Sequence, residues 1–525
     1  MNENESECHL KEENNKDPQQ KKTPFLDALI KYVESSPVCF DVPGHKMGNF
    51  VTDLSRRVSP IIFKYDVNAP IGLDNLYNTT GCIKEAEDLA AKACHADHCL
   101  FSVNGTSGGI LTMFTACLDM KDKVILPRNV HKSVINSLIV SGAIPIFVDP
   151  DIDEKLGVAN GVSLEKMVKA MDENPTAKAV FVINPTYFGV VSDLKGIVKA
   201  AHERNMIVMT DEAHGSNFYW SKELPCSAMD AGADITAMSM HKNSGSLTQT
   251  SMILSQGDRV NFREIKRAFA MFSSTSPNHL LIASLDAARK EMYFKGERVI
   301  HKNLEMAEYA RKLINQIPGM HVYSKEYVKE QNSSGVYDTD GTKLVIQVTG
   351  LGLSMYGYEV YREIRKTSNV QLELGEVNVI LALIGPGTTK ENIDSLIMGL
   401  KKLSAKHFSL NHRKKTLSYN YSYSKMVVSP RDGYDAPNLI VPLSDSVGEI
   451  SGETVMAYPP GIPIVIPGEV ISLDAVRMIQ FFQKEGGEVL KDTEPSMIKI
   501  VDRKNWYLSD ELNPLKNNNK DASDK

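Results

Sequence analysis

The 525-residue chain contains no apolar run near the eighteen or so residues that a membrane-spanning helix requires. Its seven cysteines show no CxxC spacing and no repeated pattern. That argues against a zinc ribbon or a disulfide framework and predicts reduced thiols in a cytoplasmic protein. Net positive charge is also missing. At −6, the chain offers no electrostatic footprint for nucleic acid or for an anionic membrane. The first residues, "MNENESECHLKEENNKDPQQKK", lack the apolar segment of a secretory leader, and no repeat occurs at solenoid spacing.

What is present is ordinary for a soluble enzyme: 42% hydrophobic and 24% charged residues. The chain is too long for one compact core, so two or three domains are expected. The polar ends, residues 1–23 and 511–525, have little to bury and read as disordered tails. Between about 82 and 255, short apolar runs alternate with helical patterns. "CLFSV" (99–103), "KVILP" (123–127), "IPIFV" (144–148), "KAVFVIN" (178–184), "MIVMTDE" (206–212) and "DITAMSM" (234–240) read as buried strands. Helical patterns such as "EAEDLAAKAC" (85–94), "GGILTMFTACL" (108–118) and "DLKGIVKAAHERN" (193–205) separate several of them. This alternation predicts an α/β fold with a mostly parallel sheet covered on both faces. Long helical patterns over 280–317 lead into a second, smaller α/β unit. The proline-rich "VMAYPPGIPIVIPGEVIS" (455–472) points to a separate irregular or edge-strand domain.

In an open parallel sheet, ligands bind outside the carboxyl ends of the strands, so the residues delivered there matter most. "NGTSGG" (104–109) runs straight into a helix and suits an anion cradle, although Thr106 or Ser107 acting as a plain N-cap explains it as well. It is neither a Walker loop nor GxGxxG. "DEAHG" (211–215) places Asp211 after an apolar strand, where a buried carboxylate needs a partner; a turn-capping Asp with His214 bonded nearby is the plainer reading. "SMHK" (239–242) carries Lys242 out of another strand, and a lone lysine there is usually solvated. His131, in "RNVHKS" (128–133), is placed to stack on a planar group, although a lone histidine there is more often structural, and Asn184 or Thr186 in "NPTYFG" (184–189) to reach a phenolic oxygen, where a plain proline turn explains the motif equally well. Taken together, a phosphate cradle, a strand-end carboxylate and a lysine 31 residues later match the needs of pyridoxal 5'-phosphate.

These residues resemble the fold-type I, pyridoxal-phosphate-dependent ornithine/lysine/arginine decarboxylases. The likeness is closest to the short bacterial arginine/lysine type without the N-terminal wing domain. It rests on "FDVPGHKMG" (40–48), "GCIKEAEDLAAKA" (81–93), "FSVNGTSGG" (101–109), "PRNVHKSV" (127–134), "INPTYFGV" (183–190), "DEAHG", "SMHKNSGSLTQTS" (239–251), "SSTSPNHLLIASLDAAR" (273–289) and "AYPPGIPIVIPGE" (457–469), in that order. The resemblance implies a fold-type I large domain over 81–290 with a seven-stranded sheet. It also implies an N-terminal segment over 24–80, a small α/β domain over 291–405 and a C-terminal α+β decarboxylase domain over 406–510.

It further implies that Lys242 forms the Schiff base, Asp211 pairs with the pyridine nitrogen, His131 stacks on the ring and Ala213 packs on the other face. Thr106, Ser107, Ser239 and His241 would hold the phosphate, with His214 and Thr186 close by. Ser274 or Thr275 would come from a neighbouring subunit, so the expected unit is a homodimer with shared active sites. The expected reaction is decarboxylation of a basic L-amino acid, arginine ahead of lysine and ornithine, for polyamine synthesis, with Lys242 or His241 protonating Cα. A cationic substrate needs a carboxylate, for which Glu453 and Glu469 are candidates against a surface ion-pair role. Departures from the family pattern are Gly448-Glu449, Ala457 and Asn243-Ser244. The rival readings are an aminotransferase on the same fold, which needs an arginine to clamp the α-carboxylate, and an inactive regulatory homologue.

Overall fold

The computed structural model describes residues 16–324, 333–411, 414, 416, 424–458, 462–485 and 487–508. Its largest sheet has seven strands: β1 (His98–Ser102), β2 (Lys123–Pro127), β3 (Ile144–Val148), β4 (Ala179–Ile183), β5 (Ile207–Glu212), β6 (Ile235–Met238) and β7 (Ser251–Ser255). Their spatial order is β1-β7-β6-β5-β4-β2-β3. The four pairings from β6 to β3 are parallel, and β7 lies antiparallel between β1 and β6. All six residues of β5 are buried, which is why the strands read as continuous apolar runs and not as alternating ones. The α/β class and the mostly parallel seven-stranded sheet expected from the sequence are those observed. The strand missed in the sequence is β7, which returns directly after the Lys242 segment with no crossover helix before it.

Local chemistry starts and stops the crossovers. Asp193 accepts a hydrogen bond from Gly196 N at 3.0 Å and caps the helix Leu194–Glu203. Gly142, at φ +71°, ends the helix Lys132–Ser141 in the left-handed region. The helix Gly105–Cys117 lies so close to β6 that a Cβ on Gly109 would come within 2.8 Å of Ala237 Cβ. That contact holds the helix N-terminus at the carboxyl end of the sheet.

A 36-residue helix, His279–Ile314, leaves the large core at Leu285 and Ile300 and enters a second core at Ala310 and Ile314. The second lobe has a four-stranded sheet, in the order His321–Val322, Lys343–Gln347, Val379–Leu383, Leu374–Gly375. Every pairing in it is antiparallel. Helix Lys390–His407 packs in the same lobe, with Leu396 and Leu400 in its core. A third core gathers Val455, Val465, Ile479 and Ile498. Its strand Asn438–Pro442 pairs with Met497–Val501, and Val455–Tyr458 pairs with Ile462–Val465 and Glu488–Leu490. The centre of the proline-rich motif, 459–461, lies outside the described residues, as do 1–15 and 509–525 of the two tails.

Residues 16–23 depart from the expectation of a disordered tail. Gln20 is buried and donates to Leu89 O at 2.9 Å, and the buried Arg289 donates to Gln20 O at 2.6 Å. A few polar side chains pin this segment where apolar content alone predicts disorder.

Candidate active site

The carboxyl ends of β1, β2, β4, β5 and β6 open on one cavity of about 580 Å³. Thr106, Ser107, His131, Thr186, Asp211, Ala213, His214, Ser239, His241 and Lys242 all line it. At one end the helix Gly105–Cys117 begins, and Thr106 Oγ1 shares a 2.7 Å hydrogen bond with Ser239 Oγ. Two hydroxyls beside a helix N-terminus present donors and a positive dipole end to an anion.

Asp211 faces the cavity while its neighbour Glu212 turns to the other face of the sheet, as strand alternation requires. Glu212 accepts from Asn184 Nδ2, Ala228 N and Thr236 Oγ1 at 3.1, 2.7 and 3.0 Å. Asp211 accepts from Ala213 N at 2.9 Å. Burial pushes the Asp211 carboxyl up from its ordinary range, against the pull of the Ala213 N–H and of His131 and Lys242. A cationic N–H entering the cavity would hold Asp211 ionised.

Lys242 does not sit at the strand end itself. β6 stops at Met238, and Lys242 rides on the helical turn Met240–Asn243 that follows. Its Nζ is 2.9 Å from His214 Nε2. Burial lowers its pKa, with Asp211 and Glu373 opposing, the direction that favours the neutral amine of a nucleophile. His241 Nδ1 lies 2.8 Å from Thr250 O. A carbonyl only accepts, so Nδ1 carries the proton and Nε2 carries the lone pair. His131 Nδ1 accepts from Ser133 N at 3.2 Å and caps the next helix. Burial lowers the pKa of both His131 and His241.

Several expectations fall elsewhere. Of the pair Asn184 and Thr186, Thr186 lines the cavity, while Asn184 donates to Glu212 Oε1 and Cys226 O. Ser274 and Thr275 are exposed and do not line the cavity of their own chain. Neither Glu453 nor Glu469 is free for a substrate. The Glu453 carboxylate accepts from Asp492 N, Lys499 N and Thr493 Oγ1 at 2.6, 2.7 and 2.7 Å. Glu469 is held by Arg128.

Residues at and beside the site that escaped the sequence include Tyr187, Glu373 and Lys343. Tyr187 lines the cavity and donates to Glu373 Oε1 at 2.6 Å. Lys343, from the second lobe, places Nζ 3.1 Å from His214 Nδ1. A lysine beginning the fully buried strand Lys343–Gln347 was the available signal.

The donor set fits pyridoxal 5'-phosphate: hydroxyls and a helix start for the phosphate, a buried carboxylate for the pyridine nitrogen, a lysine amine for the aldehyde. The fold and this arrangement define a fold-type I enzyme. The solved lysine decarboxylase LdcF of Francisella novicida superposes with a TM-score of 0.79 at 19% identity, covering 91% of this chain and 81% of that one. In sequence, residues 23–392 match the Orn/Lys/Arg decarboxylase major domain and 414–488 match the C-terminal domain of the same family. An arginine decarboxylase of Halalkalibacterium halodurans is 40% identical over 86% of this chain and 92% of its own length. One from Bacillus subtilis is 39% identical over 92% of this chain and 98% of its own. The chain therefore belongs to the Orn/Lys/Arg decarboxylase family, and it is a decarboxylase. That sets aside the aminotransferase and the inactive homologue.

Proposed function

We propose that the protein decarboxylates L-arginine to agmatine in the cytoplasm with pyridoxal 5'-phosphate bound in the cavity, as a homodimer whose active sites lie at the subunit interface. The observation that carries this is the meeting of Thr106, Ser239, Asp211 and Lys242 in one cavity. Arginine is favoured over its congeners because the relatives at about 40% identity are named arginine decarboxylases. Those named lysine and ornithine decarboxylases stand at 23–25%.

When bound, the cofactor supplies an electron sink for the pair left at Cα as carbon dioxide departs. The chain's own residues do the rest. Thr106, Ser107 and Ser239 would hold the phosphate, joined by Ser274 or Thr275 of the second copy; His241 would join them only as the imidazolium, because its neutral ring keeps a lone pair on Nε2. His131 and Ala213 would flank the ring, and Thr186 would take the phenolic oxygen. Asp211 holds a proton on the ring nitrogen, which its burial makes an effective charge partner. Lys242 returns a proton to Cα. His241 is the weaker candidate for that step, because its one proton is committed to Thr250 O.

The test is release of labelled carbon dioxide from arginine, lysine and ornithine carrying the label in the carboxyl carbon. Release from arginine at a kcat/KM well above the other two is expected. No release from any of the three by protein that holds the cofactor would sink the reading.

A further inference from the structure

His214 stands between two lysines. Lys242 Nζ is 2.9 Å from Nε2, and Lys343 Nζ is 3.1 Å from Nδ1. A neutral imidazole has one N–H and one lone pair, an ammonium only donates, and a neutral amine can accept. If the ring is neutral and both contacts are hydrogen bonds, one lysine donates and the other must be a neutral amine that accepts. Burial of the ring, with the charges of both lysines adding to it, lowers the His214 pKa well below its ordinary value, which rules against a cationic ring.

The surroundings decide which lysine donates. Lys343 Nζ also lies 3.1 Å from Tyr187 O, which only accepts. Asp340 is the main carboxylate favouring charge on Lys343; its Oδ1 accepts from Thr342 N and its Oδ2 from Asn217 Nδ2. Burial, with the Lys242 charge adding to it and Asp340 opposing, pushes the Lys343 amine down to about 8, which still leaves it mostly an ammonium at neutral pH, and Tyr187 O gives that ammonium an acceptor besides Nδ1. The aliphatic stem of Lys343 reaches this position past Gly189, where an added Cβ would come within 2.8 Å of Lys343 Cδ and φ is +89°. The other titratable groups facing the trio are Asp211 beside Lys242, Glu373, which acts on both lysines, the Tyr187 ring, 4.4 Å from that of His214, and the imidazoles of His131 and His241.

We propose that Lys343 is a positioning residue that keeps Lys242 neutral through His214: its ammonium donates to Nδ1, the imidazole carries its proton on Nε2, and that N–H donates to the lone pair of the Lys242 amine. Lys242 is thereby held as the neutral amine, and release of the Nε2–H contact frees its lone pair for attack without a separate deprotonation. Without Lys343, Nδ1 can take the ring proton, Nε2 becomes an acceptor, and Lys242 is stabilised as the ammonium. The inference rests on Lys242 being the lysine that captures the cofactor.

Nitrogen-15 spectra of histidine in the cofactor-stripped protein read the tautomer directly. His214 is expected with its proton on Nε2, and a proton on Nδ1 in the unaltered protein overturns the proposal whatever the variants do. Borohydride-trapped capture of pyridoxal phosphate, followed against pH, reads the state of Lys242. Lys343→Met should raise the pH midpoint of capture by about one unit, making capture about tenfold slower at neutral pH, and should move the His214 proton toward Nδ1. Lys343→Arg, which keeps a cationic donor, should restore most of both. An unmoved midpoint and an unmoved tautomer in Lys343→Met also overturn it. A protein that captures the cofactor normally but releases no carbon dioxide would count against the decarboxylation of arginine and not against this relay.

Discussion

Arg128 and Glu469 are joined by two parallel hydrogen bonds, Nε to Oε1 at 3.2 Å and Nη2 to Oε2 at 2.9 Å, with side chains 0% and 1% exposed. Arg128 Nη1 also donates to Pro463 O at 3.0 Å, and Ile466 N donates to Glu469 Oε2 at 3.0 Å. Arg128 directly follows β2, one residue before Asn129 and three before His131, which line the cavity. The pair therefore fixes the third lobe, with Ile462 at the cavity wall, against the strand end that carries His131.

Removing one partner of this pair leaves a charge buried without compensation. Arg128→Met or Glu469→Gln should cost about 3–5 kcal/mol of stability, seen as a lower denaturant midpoint. Replacing both with apolar residues should cost less than either single change. A double variant as unstable as the sum of the singles would show that the pair is not energetically coupled.

Thr106 and Ser239 predict how tightly the phosphate is held. A hydrogen bond to a charged group contributes about 1.5–3 kcal/mol. Thr106→Val and Ser239→Ala should each weaken cofactor retention at least about tenfold, measured by fluorescence titration of the stripped protein. Because the two hydroxyls touch each other, the double variant should fall short of the product of the singles. Unchanged retention in both would remove the hydroxyls from the cradle.

Lys242 and Asp211 separate capture from turnover. Lys242→Ala should abolish both the borohydride-trapped adduct and carbon dioxide release. Asp211→Asn has nearly the same volume but no charge to hold a proton on the ring nitrogen. It should keep the trapped adduct and lose at least about a hundredfold in kcat, the scale of losing one preorganised electrostatic contact. Full turnover by Asp211→Asn would refute its role.

These variants also mark where the sequence was readable. Strand-end residues of the large sheet were legible because a parallel sheet buried on both faces announces its strands, and its ligands lie at their carboxyl ends. Side-chain direction was not. Asn184 and Thr186 are two residues apart in one motif, yet Asn184 turns toward Glu212 while Thr186 opens on the cavity. Arg128 stood in the same motif as His131, but its partner Glu469 lies in the third lobe, and no local pattern links two such distant segments. Lys343 was missed for the same reason: it arrives from the antiparallel sheet of the second lobe, beyond the sheet whose ends were read.

Glu87 gives a dependence on pH. It lies 1% exposed in the helix Cys82–Ala93. There it accepts from Phe101 N, on the outer edge of β1, and from Thr79 Oγ1, both at 3.0 Å. Burial pushes its pKa up to about 8, against those two hydrogen bonds. An unfolded glutamate titrates near ~4.3. Below that value the folded and unfolded chains both hold the proton, and the stabilising contribution is complete. As pH rises through about 8 the folded chain gives up the proton as well, and the contribution is lost. Glu87→Gln does not titrate. Its stability relative to the unaltered protein should therefore rise between the two values, by a few kcal/mol at most, on the order expected for shifts of this size. Denaturant midpoints of both proteins across that window decide the matter, and a difference that does not change with pH would mean that Glu87 is ionised throughout.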